Sequence, residues 1–257
     1  MKIAVLIKQV PDTNRPRALD PETGLVDRAA TEAVLDEIDE RALAAALRLR
    51  DTADTDTEIV VLTMGPPSAG EALRRCLAVG ADSAVHVLDD TLAGSDAVRT
   101  SAVLATALRT VEPDLVIAGC ESTDGKTGAV PAMLAQRLDY AQATYLCSLS
   151  VSESGVTGER TDETGVVELS ADFPCIVSVT EQAAEPKTPN LKGIMAAKKK
   201  TLRILSTADL PVSTSEVSRI RMLETVPRPP RSSGVLVEDN GTAAQQIVDL
   251  LRQNQAI

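Results

Sequence analysis

The amino-acid sequence predicts an α/β protein with a parallel, doubly wound sheet, antiparallel strands added at the sheet edge, and a C-terminal arm that ends in a helix. Up to about residue 143, short apolar runs typical of buried strands alternate with amphipathic helices, which is the pattern of a parallel sheet covered on both faces. Beyond that point, strand-like runs follow one another without a helix between them. Residues 207–240 are rich in Pro and Ser with little periodicity, which indicates an extended arm.

The first half of the chain supplies the alternating elements. The strand-like runs are short and apolar, and they cover residues 1–9, 58–63, 84–88 and 114–118. The helices have apolar residues at helical spacing, and they cover about 37–50, 68–79, 96–111 and 129–138. Asp36 is predicted to cap the first helix, with Asp39 three residues on, and Ser68 and Glu71 form a capping-box pattern at the second.

The second half supplies the edge strands and the arm. The antiparallel additions are predicted from consecutive strand-like runs at residues 144–151, 156–160, 166–169 and 175–180. Residues 184–200 are expected to be irregular. The pattern Thr242-x-x-Gln245 predicts a cap for the last helix. We therefore expect a domain of residues 1–205 and an arm of residues 206–257 whose helix packs on a neighbouring subunit.

The composition argues against several classes of function. The chain has 257 residues and a formal net charge of −11, which disfavours a general nucleic-acid binder. Its four cysteines form no C-x-x-C pair, so no metal site or disulfide framework is expected. Its single histidine, His86, is interpreted as a core residue. No apolar run reaches the ~18–20 residues that span a bilayer, and the first residues lack the features of a signal peptide, so we expect a cytoplasmic protein.

A glycine-rich loop after the fourth predicted strand is the strongest candidate binding site. Residues 119–128 read GCESTDGKTG and precede a helix. Ligands bind beyond the carboxyl ends of parallel strands, and the N–H groups and dipole of a helix N-terminus favour a phosphate. An ordinary polar loop is the alternative that the residues leave open. A P-loop is disfavoured, because five residues rather than four separate Gly119 from Gly125-Lys126-Thr127.

A second candidate surface lies in residues 184–200. Leu191, Ile194 and Met195 occupy a proline-containing segment, where they either form a small satellite core or are exposed for docking. The basic run Lys198–Lys200 predicts a solvated turn.

Several stretches together resemble one family, the electron-transfer flavoprotein β subunits. The resemblance extends over nearly the whole chain, and its stretches are residues 2–12, 35–43, 78–82 with 85–87, 118–131 and 185–200. The last of these, EPKTPNLKGIMAAKKK, resembles the family signature and is the most specific.

The resemblance implies an adenine-nucleotide α-hydrolase-like fold and an electron carrier without catalytic residues of its own. In this family the β subunit buries one AMP and forms a heterodimer with an α subunit that holds most of the FAD. Electrons enter from acyl-CoA-type dehydrogenases and leave to a membrane quinone oxidoreductase. In some relatives a second, bifurcating FAD occupies the β site. With two Tyr, one Phe and no Trp, this chain has few aromatic side chains that could pack against a flavin ring. This composition agrees with a flavin shared with a partner subunit.

Carried over by position, the resemblance implies nucleotide contacts from several loops. These are Leu6, Asp36, Glu37, Ile38, Asp39, Met64, Gly119, Thr123, Asp124, Gly125, Lys126, Thr127, Gly128, Ala129 and Val130. It places the docking leucine for dehydrogenases at Leu191, with Ile194 and Met195 beside it in the recognition loop 185–200.

Two positions depart from the family pattern. Cys120-Glu121 stands where many members have Lys-Gln, and Lys187 replaces an arginine, which keeps the charge and loses the guanidinium fork. A stand-alone ATP-binding regulatory module of the same fold is the main alternative. The long C-terminal tail and the 185–200 segment argue against it.

Overall fold

The computed structural model describes the chain except for residues 17, 29, 53–55, 212–217, 221, 227–228, 231–233 and 235. The described residues form two compact units, Met1–Glu224 and Thr225–Ile257. The predicted arm, residues 206–257, begins in the first unit and lies partly outside the described residues.

Strands and helices alternate through most of the first unit. The strands are β1 Lys2–Leu6, β2 Gln9–Pro11, β3 Ala33–Leu35, β4 Glu58–Met64, β5 Ser83–Val87, β6 Leu115–Gly119, β7 Ala141–Leu146, β8 Ser148–Val151, β9 Gly155–Asp162, β10 Gly165–Asp172, β11 Cys175–Val179 and β12 Leu202–Leu205. The α-helices are α1 Glu37–Thr52, α2 Ala69–Val79, α3 Ala97–Arg109, α4 Val130–Leu138, α5 Leu191–Ala197 and, in the second unit, α6 Ala243–Gln253.

A parallel sheet forms the centre of the first unit. Its strand order among the described residues is β12-β5-β4-β1-β6-β11-β7, and every neighbouring pair is parallel. The inner strands are continuous apolar runs such as KIAVL in β1, because both of their faces are covered.

Helices cover both faces of this sheet. On one face, Leu43 and Leu47 of α1 and Leu73 and Leu77 of α2 pack in one apolar cluster with residues of the inner strands. On the other face, residues of α3 and α4 such as Leu108 form a second cluster with strand residues. The predicted parallel, doubly wound α/β fold is confirmed.

The antiparallel part of the chain differs in detail from the prediction. The strands β8, β9 and β10 form a separate antiparallel sheet. Cys175–Val179, predicted as an antiparallel edge strand, instead pairs in parallel between β6 and β7 and is wholly buried. A helix commonly connects two parallel strands, and its absence therefore favoured an antiparallel prediction. Here the antiparallel sheet of β8, β9 and β10 provides the connection from β7 to β11.

Two of the predicted helix caps are wrong. The Asp36 carboxylate accepts the N–H of Ile38 at 3.0 Å and so caps α1 as expected. Ser68 makes no cap, since its hydroxyl donates to Gln9 at 2.8 Å, and the Thr242 side chain does not cap α6.

The segment 184–200 is more ordered than predicted, since it contains the helix α5. The Asn190 carboxamide oxygen accepts the N–H of Gly193 at 2.8 Å and caps this helix. A Cβ on Gly193 would overlap the Ala78 carbonyl. Glycine therefore permits the close approach of α5 to α2, and this tertiary packing favours a helix that local composition does not predict.

The second unit contains the predicted last helix. In α6, Ile247, Leu250 and Leu251 are partly exposed. Among the described residues, no helix has both the length and the apolar character needed to cross a bilayer.

Candidate functional site

The candidate site lies at the carboxyl ends of β1 and β6, where the sheet changes direction. From β1 the chain continues to β4 and β5 on one side, whereas β6, β11 and β7 lie on the other side. A crevice forms at such a switch point in open parallel sheets. The glycine-rich loop leaves β6 at this point and leads into α4.

The Asp39 carboxylate joins the ends of these two strands. Its Oδ2 accepts the N–H of Lys8 at 2.8 Å, and its Oδ1 accepts the N–H of Gly119 at 3.1 Å. Asp39 was predicted to support the α1 cap and to contact the nucleotide, but both oxygens are engaged with protein. Burial, followed by the neighbouring Asp36 carboxylate, raises the pKa of Asp39 well above its usual range.

Gly119 is required by this contact. A Cβ at this position would lie 2.6 Å from Asp39 Oδ1 and 3.1 Å from Ile38 Cγ2. Any larger residue would push β6 away from α1 and displace the start of the loop.

The Asp36 carboxylate fixes the middle of the loop. It is fully buried, and its Oδ2 accepts both the N–H of Thr123, at 2.7 Å, and the Thr123 hydroxyl, at 2.8 Å. Asp36 and Thr123 are therefore brought together as predicted for a common site, but they satisfy each other and act by positioning the loop.

An ion-pair network encloses the next residue, Asp124. Lys8 Nζ lies 2.6 Å from Asp124 Oδ1, and an Arg28 guanidinium nitrogen lies 2.7 Å from Oδ2. Lys8 also donates to the Ser122 hydroxyl at 3.0 Å. Burial alone would raise the pKa of Asp124, but Lys8, Ser122 and Arg28 together lower it to about 2.

The end of the loop presents free backbone donors. Among the described residues, no protein acceptor takes the N–H groups of Thr127, Gly128, Ala129 or Val130. These groups precede or begin α4, so the helix dipole adds to them. Lys126 and Gly128 have φ values of 47° and 64°, which turn the backbone sharply at this point. Consecutive free N–H groups in such a turn fit a phosphate.

The remaining predicted contact residues lie in or near this loop, and Gly125 joins its network, since its N–H donates to Asp124 Oδ1 at 2.6 Å. Leu6 is buried in the apolar cluster beneath α3, and Met64 packs against the same cluster. Ile38 is buried beside Gly119, whereas Glu37 is exposed. The loop residues Gly125 and Lys126 are exposed; Lys126 N–H donates to the Ser122 carbonyl at 2.9 Å.

Sequence reasoning missed the two cations that hold the loop. Lys8 follows the first strand directly, so its position at the switch point was foreseeable once the topology was assumed. Arg28 lies about a hundred residues from Asp124, in a turn-rich segment without periodicity, and no local pattern signals that contact.

The segment of residues 185–200 exposes an apolar surface. The exposed fractions of Leu191, Ile194 and Met195 are 77%, 43% and 58%, whereas Ala197 on the same helix is buried. The satellite-core alternative is therefore wrong for Leu191. The helix is held from beneath by Arg74, which donates to the carbonyl of Ala197 at 2.8 Å.

The basic run after α5 is not uniformly solvated. Lys198 and Lys199 are exposed. Lys200 instead donates from Nζ to the carbonyl oxygens of Leu77 at 3.0 Å and Ala81 at 2.6 Å, at the C-terminal end of α2. The predicted solvated turn is thus correct for the first two lysines and wrong for the third.

Known proteins resemble this chain over most of its length. A family model described as the electron transfer flavoprotein domain matches residues 23–210. Electron transfer flavoprotein subunit beta of Mycobacterium tuberculosis is 46% identical over 257 residues, covering 97% of each chain. Caffeyl-CoA reductase-Etf complex subunit CarD of Acetobacterium woodii is 33% identical, covering 98% of this chain and 96% of its own. Protein FixA of Azorhizobium caulinodans is 36% identical, covering 81% and 76%. The chain therefore belongs to the electron-transfer flavoprotein β-subunit family.

Proposed function

We propose that this chain is the β subunit of a heterodimeric electron carrier, in which an α subunit holds most of the FAD and this chain binds AMP as a structural ligand. The observation that carries the proposal is its identity of 46%, over nearly the full length of both chains, with a protein named as an electron transfer flavoprotein β subunit. Electrons would enter from acyl-CoA-type dehydrogenases and leave to a membrane quinone oxidoreductase.

The loop between β6 and α4 is the proposed AMP site. Its free N–H groups from Thr127 to Val130 suit the phosphate, and Gly128 permits a close approach of the backbone. Asp36, Asp39 and Asp124 act indirectly, because their carboxylates hold the loop to α1, β1 and Arg28. No side chain is assigned as an acid, base or nucleophile.

A flavin shared with the α subunit would supply the electron-carrying chemistry. This chain's contribution is to bind the partner and to bring the flavin near donor and acceptor proteins. The exposed apolar residues of α5 are the proposed contact with dehydrogenases. The helix is capped by Asn190 and anchored through the buried Ala197, so it presents Leu191 on a rigid support, which favours a transient protein–protein contact.

A second candidate is a bifurcating β subunit that holds its own FAD. The observation that favours it is the similarity, at 33–36% identity, to CarD and FixA, although the Mycobacterium tuberculosis relative is more similar. The phosphate loop would serve either ligand, because AMP is part of FAD.

Nucleotide extraction from the heterodimer tests both candidates. We expect the chain alone to be colourless, and co-expression with its α subunit to give a yellow 1:1 heterodimer that releases one FAD and one AMP on denaturation. Two FAD and no AMP would support the second candidate. A chain that stays monomeric and carries ATP would contradict both and indicate the stand-alone regulatory module.

A further inference from the structure

Tyr145 occupies an unusual backbone conformation next to the proposed AMP site. Its φ of 61° lies in the left-handed region, which tyrosine rarely adopts because its backbone is strained there. The conformation arises at a register shift between β7 and β11, where Ala143 pairs with Val177 and Leu146 with Val179. Two residues of β7 thus face one of β11, which is a β-bulge, and bulges commonly redirect a side chain near functional sites.

The bulge is held by a buried hydroxyl. The N–H of Tyr145 donates to Ser178 Oγ at 2.9 Å, in place of a ladder hydrogen bond, and Ser178 is fully buried on β11. The backbone that carries the Tyr145 side chain is therefore part of the sheet and not of a loop.

The ring points its hydroxyl at the nucleotide loop. A Cβ built on Gly128 would overlap the Tyr145 hydroxyl oxygen and would lie 3.5 Å from Cζ. The phenol thus fills the space that a side chain at Gly128 would occupy, beside the free N–H groups of the loop. Within the described part of the chain, the hydroxyl has no acceptor, and the residue is 38% exposed.

The phenol is available as a donor at neutral pH. Burial first, then the proximity of Cys120 and Glu121, raises the pKa of Tyr145 above its usual value. The O–H therefore stays protonated near pH 7 and offers a hydrogen bond to an oxyanion.

We propose that Tyr145 is a further binding residue of the nucleotide site, whose O–H donates a hydrogen bond to the phosphate of the bound nucleotide. This inference rests on the proposed AMP site. Because residues 127–130 contribute mainly backbone donors, the phenol would add a neutral side-chain donor at that end of the loop. It would also give a function to the strained backbone at Tyr145.

Binding of AMP and of adenosine to the nucleotide-depleted heterodimer tests the proposal by calorimetry. Tyr145→Phe keeps the ring and removes only the hydroxyl. We expect it to weaken AMP binding about tenfold, as for a lost hydrogen bond to a charged group, and to leave adenosine binding unchanged. The matched control is Tyr140→Phe, because the Tyr140 hydroxyl faces the Pro113 carbonyl at 3.5 Å; its AMP affinity should equal that of the unaltered protein.

The outcomes distinguish the phosphate contact of Tyr145 from the AMP site itself. Unchanged AMP affinity in Tyr145→Phe, or an equal loss for AMP and adenosine, overturns the phosphate contact. If the unaltered heterodimer binds no AMP, the proposed AMP site fails and the phosphate contact fails with it. The 31P resonance of bound AMP provides a second readout, and it should shift in Tyr145→Phe and stay in place in Tyr140→Phe.

Discussion

Lys8 Nζ lies 2.6 Å from Asp124 Oδ1, so one ion pair links the end of the first strand to the loop that follows β6. The Asp124 side chain is completely enclosed, whereas Lys8 and Arg28 are partly exposed. The Asp124 carboxylate is thus the buried centre of the network. It forms ion pairs with two cations, Lys8 and Arg28, which come from separate segments of the chain. Such a centre positions the free N–H groups that follow it in the chain.

Asp124→Asn should lower the free energy of unfolding by about 1–2 kcal/mol at pH 7, since it removes a buried charge-assisted contact while the two cations remain partly hydrated. The pKa of Asp124 in the folded protein, about 2, lies below its unfolded value. Its stabilisation is therefore fully present above about pH 4 and is lost as the pH falls towards 2. Urea unfolding at a series of pH values measures this difference.

The control for this prediction is Asp172→Asn, which changes an exposed carboxylate at the end of β10. It should alter stability by no more than about 0.5 kcal/mol. A stability difference for Asp124→Asn that stays constant from pH 7 to pH 2 would contradict the role of the ionised carboxylate.

Gly128→Val should abolish most of the AMP content of the heterodimer. A valine is strained at a φ of 64°, and its Cβ would overlap the Tyr145 hydroxyl. Loss of the ligand should also remove roughly 2.7 kcal/mol of stability at a hundredfold excess of nucleotide over its dissociation constant. Extracted nucleotide, quantified per heterodimer, is the measurement.

Gly165→Val separates strain from ligand loss. Gly165 also has a positive φ, of 148°, but a Cβ added there would meet no atom within 4 Å. This control should lose stability without losing AMP. Equal AMP content in both variants would move the nucleotide site away from the loop.

Lys200→Met should lower the free energy of unfolding by about 1–2 kcal/mol, because the ammonium group donates to two carbonyl oxygens at the end of α2. Lys199→Met removes the same charge from an exposed position and should change stability by less than about 0.5 kcal/mol. Chemical denaturation of the two variants side by side provides the test. Equal effects would mean that Lys200 contributes only general charge.

The sequence predicted those features that depend on local chemistry. The Asp36 cap and the end of the second predicted helix at residue 79 follow from residue type and spacing, and both are present. Elsewhere, a local sequence pattern predicted a helix cap, but long-range hydrogen bonds determine the role of the side chain in the structure. Asp39 has the right spacing to support a cap, yet its carboxylate instead bridges the N–H groups of Lys8 and Gly119.

Strand pairing and tertiary contacts could not be predicted from local residue type and spacing. Val177 and its neighbours read as a strand, but nothing local distinguishes a parallel central strand from an antiparallel edge strand once the helix is missing. Ser178 holds the bulge at Tyr145, and the Tyr145 hydroxyl lies beside Gly128; both residues are distant from Tyr145 in sequence. The loop could be predicted from the sequence because its glycines lie close together in the chain. The residues that support it are distant in sequence, so only the structure identifies them.

Leu191→Ala provides the test of the proposed docking surface. Leu191 is 77% exposed, so its truncation should change the free energy of unfolding by less than about 0.5 kcal/mol and leave flavin content unchanged. A leucine that enters a partner pocket contributes roughly 1.5–3 kcal/mol from burial, so reduction of the heterodimer by an acyl-CoA-type dehydrogenase should slow about tenfold or more. Leu73→Ala in the core should instead cost ~2–5 kcal/mol of stability.

The matched surface control is Val166→Ala on the β9–β10 hairpin, where the side chain is 63% exposed. It removes a comparable apolar group from a different face, so the rate of reduction should stay within about twofold of the unaltered protein, a change of about 0.4 kcal/mol or less. Stopped-flow reduction of the bound flavin at several dehydrogenase concentrations shows whether Leu191→Ala acts on encounter, since a docking defect raises the concentration needed for half-maximal rate. If both variants slow reduction equally, the loss of any exposed apolar side chain has this effect, and Leu191 has no specific docking role. If Leu191→Ala leaves the rate unchanged, α5 is not the docking element.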